Sequence, residues 1–195
     1  MPRSAAFLSS LLLATLVGAG PALSAIEQRT DENGLRSWTL HDGALELQLI
    51  PRLPDQTRAF FLARGFPADV ADRIARACVF QVIGKNVATS DAPHDIRIDL
   101  RQWRITHRNQ TVPIKLKEVW AEQWPDDVPN AARIAFRWAT FPTDQVYHPA
   151  DDHNWGMVSL GPPPGSILDL DVVWFEDGRR KHFTIEGLDC PTDPE

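Results

Sequence analysis

The sequence predicts a mainly β protein, an antiparallel immunoglobulin-like two-sheet sandwich with a short helical pair inserted near the N-terminus. Three observations carry that expectation. Short segments alternating apolar with polar residues recur along the chain, from Leu45, Leu47 and Leu49 to Leu168, Leu170, Val172 and Trp174; a period of two turns one face of a strand to a core and the other to water. The dipeptides Asp42-Gly43 and Asp177-Gly178 separate such segments, and glycine supplies the positive φ that a tight hairpin requires. Helical spacing is confined to residues 55–78. A partly open barrel is the alternative that a run of short strands admits.

The chain opens on residues 1–25, which read as a secretion signal. Arg3 gives a charged start, Ala5 to Val17 form an uncharged apolar run, and Gly18, Gly20 and Pro21 lead to the small residues Ala22, Ser24 and Ala25. Breakers end the apolar run short of the ~20 residues that a bilayer span needs. Cleavage is expected after Ser24 or Ala25, and no Cys follows either site, so no stable membrane anchor remains. The expected location is the periplasm or the medium.

Residues 26–195 read as one globular domain, with a helical pair at 55–78 and a β-sandwich over 79–190. Trp38 and Leu40 run through His41-Asp42-Gly43 into Leu45, Leu47 and Leu49, a hairpin that Pro51 and Pro54 end. Asp55 is placed to cap a helix through Phe60, Phe61 and Leu62, with Gly65 closing it. A second helix starts at Pro67, has Asp69 at its positive end, and repeats Val70, Ile74 and Ala77 at helical spacing. The apolar residues of this pair, Phe66 included, are expected to pack on the sheet.

From Cys78 the period is two. Val79 to Ile83 and Ile96, Ile98 and Leu100 read as strands, and the phase then slips by one at Trp103 and Ile105, which predicts a bulge near Arg101 or Gln102. Further strands are expected at Ile114 to Val119, over Ile134, Phe136 and Trp138, and at Met157 to Leu160. The last hairpin joins Leu168 to Phe175 with Phe183 and Ile185 through Asp177-Gly178, and the tail past Cys190 is expected to fray. Strand order is not legible at this level.

Composition narrows the partners. The full chain carries a formal net charge of −6, and the leader holds one basic residue and no acidic one, so the mature surface is more acidic still. Nucleic acid and anionic lipid, which demand basic patches, are poor partners. Seven Trp and nine Phe provide a core. Cys78 and Cys190 are the only cysteines; without Cys-x-x-Cys spacing, and in an oxidising compartment, they are expected to pair.

The residues best able to do chemistry lie between Asp144 and Met157, which read as a polar loop. His148, His153 and Met157 offer the imidazole and thioether donors that suit copper. Asp144, Asp151, Asp152 and Asn154 offer the hard oxygens that suit calcium, a weaker reading because the spacing is not that of an EF-hand. Ser159 and Ser166 lack a nucleophile-elbow context. The three prolines of Gly161-Pro162-Pro163-Pro164-Gly165 remove the donors that a phosphate cradle needs. Asn109-Gln110-Thr111 is a glycosylation sequon only in a host that uses one. Two functions follow as expectations: a non-catalytic binding or accessory protein that carries a metal ion such as copper or recognises a partner protein, or a metal-dependent hydrolase using His148, His153 and Asp152.

Overall fold

A computed structural model describes residues 25–194; the leader assigned to residues 1–25 lies outside them except for Ala25. The chain forms two antiparallel sheets. The first has the order β1 (Ala25–Thr30), β2 (Arg36–Asp42), β3 (Leu45–Pro51), β4 (Val79–Asn86), β9 (His153–Ser159). The second is built on β10 (Ile167–Glu176), which pairs with β11 (Arg179–Asp189) along one edge. Its other edge is shared by β5 (Ile96–Asp99) and β6 (Arg104–His107), with β8 (Asp144–Tyr147) beyond β5 and β7 (Gln110–Pro113) beyond β6.

Alternation delivers the core as the sequence implies. Trp38, Leu40, Leu47, Leu49, Phe80 and Val82 of the first sheet and Ile98, Ile105, Leu170, Val172, Trp174 and Ile185 of the second are buried in one continuous cluster, as in a two-layer sandwich. Both expected hairpins form. Gly43 (φ 55°) turns β2 into β3, and Asp177 and Gly178 (φ 48° and 77°) turn β10 into β11. The sheets are joined at both ends of β2, where Arg36 pairs with Asp189 and Asp42 accepts from Lys181 Nζ at 2.5 Å. Cys78, just before β4, is disulfide-bonded to Cys190, just after β11, with Cα atoms 5.0 Å apart.

The expected helical pair is present as α1 (Pro54–Leu62) and α2 (Ala68–Ala75), and Gly65 (φ 84°) follows α1 as expected. Asp55 does not cap α1. Its own amide donates to Asp193 Oδ1 at 2.8 Å, which ties down the tail that was expected to fray. Where a bulge was expected, a 3-10 turn at Leu100–Gln102 shifts the phase between β5 and β6, with Asp99 accepting from the Arg101 amide.

Of the expected strands, Ile114–Val119 makes only an isolated bridge at Lys115 before entering the helix α3 (Lys117–Glu122), and the segment over Ile134, Phe136 and Trp138 lies in the helix α4 (Asn130–Ala139). In a strand, Ile134, Phe136 and Trp138 would share a face. In α4, Ala132, Phe136 and Ala139 recur at helical spacing on the buried side, while Ile134 and Trp138 point outward. The four helices then build a second core of their own. Phe61, Phe66, Trp120, Trp124 and Phe136 pack there with mostly edge-on rings 5.0–6.5 Å apart, and Met157 of β9 joins the cluster from the sheet. Phe61 and Phe66 therefore pack against Phe136 of α4, and Phe66 also against Trp124 just past α3, in a cluster that the sheet joins through Met157.

Candidate functional site

The segment from Asp144 to Met157 is not one open loop. It is β8, a connection that crosses from the second sheet to the first, and β9, and nearly every polar group in it is engaged by the protein itself. Asp144 accepts from Arg97 Nε at 2.8 Å and from Arg101 Nη2 at 2.5 Å. The Arg97 hydrogen bond, with the positive charges of both arginines, holds its carboxyl below the usual range against a smaller effect of burial. Asp151 pairs with Lys85 Nζ at 2.9 Å, and the Asp152 carboxylate accepts from the His148 amide at 2.9 Å. Asn154 Oδ1 accepts from the Trp155 amide.

Asn86, fully buried, organises this crossing. Its side-chain amide donates to the carbonyls of His94 (2.6 Å) and Tyr147 (2.9 Å), its Oδ1 accepts from the Ala88 amide, and its own amide donates to the Asp152 carbonyl. Ala150 and Asp151 adopt positive φ (72° and 67°) in the turn that results.

These contacts separate the proposed metal donors. His148 Nδ1 lies 3.0 Å from Asp95 Oδ1, whereas His153 Nδ1 lies 3.0 Å from the Asp151 carbonyl. Met157 stands four residues further along the same strand as His153, about 13 Å at the rise of an extended chain, and packs on the helical core. His148 and His153 thus take different partners, and Asp144, Asp151, Asp152 and Asn154 are each engaged by a different group of the protein. Among the described residues no group of three or more His, Cys, Asp or Glu is placed to hold a metal ion.

The feature that the sequence reading missed lies between α3 and α4. Lys117, Glu118, Ala121 and Glu122 of α3 and Ile134, Arg137 and Trp138 of α4 line an open cleft of about 650 Å³. Trp138 is 84% exposed and Ile134 48% exposed. One turn apart on α4, they form an apolar wall that nothing covers among the described residues. The isolated parallel bridge between Thr140 and Met157 brings the end of α4 beside β9, where Trp155 is also exposed; Trp138 and Trp155 each stand two positions before a bridged residue.

Charge in the cleft is divided. Lys117 opens α3 and donates to the Phe141 carbonyl at 3.3 Å. Burial holds its ammonium below the usual range, with Arg137 acting in the same direction and Glu118 opposing. Glu118 Oε1 is occupied by the Thr143 hydroxyl at 2.7 Å. Arg137 sits in the last turn of α4, where a cation also complements the helix dipole. A sequence signal for this site existed: Asn130-Ala131-Ala132-Arg133 is helix-favouring, and on a helix Ile134 and Trp138 fall outside the Ala132, Phe136 and Ala139 stripe.

No protein-family model, no curated protein and no solved structure matches this chain.

Proposed function

We propose that the protein is an exported, non-catalytic binding or accessory protein that recognises a partner protein through the cleft between α3 and α4. The single observation that supports this reading is Trp138, 84% exposed on the wall of an open cleft. A tryptophan side chain covers on the order of 150–250 Å², so covering most of it in a complex makes available about 4 kcal/mol. Trp and Arg are also the residue types that most often dominate interface energetics, and Arg137 stands beside it. The Cys78–Cys190 disulfide supports the choice of an oxidising compartment, and no described helix is long and apolar enough to cross a membrane.

The immunoglobulin-like reading extends to two facing antiparallel layers; β1 to β4 run as consecutive neighbours, a meander. For the copper and hydrolase readings, the imidazoles of His148 and His153 take different partners, Asp95 and the Asp151 carbonyl, while the Asp152 carboxylate accepts from the His148 amide.

Photo-cross-linking tests the proposal. A benzophenone amino acid at position 138, in chain exported by its native host, is expected to trap one discrete partner adduct that the same group at exposed Thr111 on β7 does not. Identical adduct patterns from the two positions overturn it.

A further inference from the structure

We infer that the free edge of β1 is an interface with a second copy of this chain, the two β1 strands pairing antiparallel about Gln28 so that the first sheets of both copies join into one. This surface is separate from the cleft between α3 and α4 and does not depend on what docks there.

Among the described residues, the other sheet edges are blunted and that of β1 is not. An edge strand presents unpaired backbone donors and acceptors to any other strand, and proteins protect such edges with bulges, prolines, lysines, very short strands or a covering segment. β9 is covered on its outer side, where Thr140 bridges to Met157 and Lys115 to Ser159. β11 is bent by a bulge opposite Asp169, with Gly187 at φ 63°. β7 and β8 are four residues each, and β7 ends on Pro113. β1 pairs with β2 alone, keeps an unbroken register from Ala25 to Thr30, and contains no Lys, Pro or Gly. Apart from Ile26, which packs on the core, its residues are exposed.

Charge complementarity names the occupant. Glu27 and Arg29 flank Gln28 and lie on the face of β1 opposite the core-facing Ile26. Antiparallel pairing on a twofold axis at Gln28 sets Glu27 opposite Arg29 of the partner subunit, and Arg29 opposite Glu27 of the partner subunit, with Cβ atoms about 5 Å apart. Within one strand the two charges meet only at 3.6 Å, both more than half exposed; in the pair each gains a second opposite neighbour. On the other face Gln28 meets its own copy and Ile26 meets Thr30 of the partner subunit. A parallel in-register pair would oppose like charges, as would a twofold axis at Glu27 or at Arg29. Six paired residues make a small interface, so the dimer is expected to dissociate on dilution.

Sedimentation equilibrium of the full exported chain, its disulfide intact, is expected to show a monomer–dimer equilibrium as concentration rises toward millimolar. Glu27→Arg and Arg29→Glu should each weaken the dimer about tenfold, because each sets like charges opposite one another. The double variant carrying both changes should restore it, since opposite charges meet again. Dibromobimane, a short thiol cross-linker, should join Gln28→Cys chains into a covalent dimer and leave Thr30→Cys chains single, because the two Thr30 positions stand four residues apart along the paired strands. Circular dichroism establishes that each variant is folded. A chain that stays monomeric at millimolar concentration overturns the inference. So does a dimer that tolerates both single reversals, a double variant no better than either single one, or cross-linking at position 30 as ready as at position 28.

Discussion

Gly156 of β9 lies directly against the backbone of Phe141: a Cβ at Gly156 would stand 2.3 Å from the Phe141 amide nitrogen and 2.6 Å from its Cα. The Phe141 amide in turn donates to the Met157 carbonyl at 3.0 Å. This contact seats the chain leaving α4 on the sheet, and with it the wall of the cleft. Phe141 itself fills the space beside Gly84, where a Cβ would lie 3.1 Å from its ring.

Gly156→Ala must therefore push backbone from backbone, with no flexible side chain to yield. The expected cost is about 2 kcal/mol, read as a lower urea midpoint with unchanged slope. An unchanged midpoint would mean that the segment after α4 shifts freely on β9.

Lys181 lies between Asp42 and the buried Glu176, 2.5 Å from each, and Glu176 also accepts from the Ala44 amide. Its ammonium is held above the usual lysine range. Burial is the largest single influence and acts downward, but the hydrogen bonds and charges of Asp42 and Glu176 together outweigh it. A raised folded-state value gives stability that is fully present below the unfolded lysine value and is lost as pH rises through the folded one. Lys181→Met is expected to lower stability by about 3 kcal/mol near neutral pH, because it removes the cation shared by two poorly solvated carboxylates. The difference in Tm between wild type and variant should shrink at strongly alkaline pH; a constant difference would assign the loss to packing.

Tyr147 is the only tyrosine in the chain, and its hydroxyl is buried without a hydrogen-bond partner. Burial, assisted by the charge of Asp152, raises its pKa well above the ordinary phenol value. The native protein should accordingly show no tyrosinate absorbance at a pH where the urea-unfolded chain shows it in full. Tyr147→Phe is expected to be neutral or stabilising by up to about 1 kcal/mol, since it removes an unpaired buried oxygen. A clear loss of stability would reveal a partner for the hydroxyl in solution.

Asp144, depressed by its arginines, contributes in the opposite sense. Its stabilisation is present above the unfolded carboxylate value and is lost as pH falls through the lower folded one. The group is a third exposed, so Asp144→Asn should cost under about 1 kcal/mol at neutral pH, and the cost should vanish in strong acid. The same experiment addresses calcium: Tm should be unchanged by excess EDTA. A large drop on chelation would show that Asp144 and its neighbours serve as ligands after all.

The sequence by itself determined what local periodicity and turn chemistry can determine. Alternation fixed the inward faces of β2, β3 and β10, glycine at positions 43 and 178 marked both hairpins, and two cysteines in an acidic, aromatic-rich chain pointed to one cross-link. Residues 133–138 read as a strand because Ile134, Phe136 and Trp138 satisfy a period of two, while Ala135 and Arg137 between them suit a helix equally well. Only the aromatic core shared with α1 and α2 decides that Phe136 goes in and Trp138 stays out. The polar run from Asp144 to Asn154 posed the same problem in another form. Its donors and acceptors are fixed by residues far away in sequence, including Lys85, Asn86, Asp95 and Arg97, and a partner's identity is a property of tertiary proximity that no local spacing encodes.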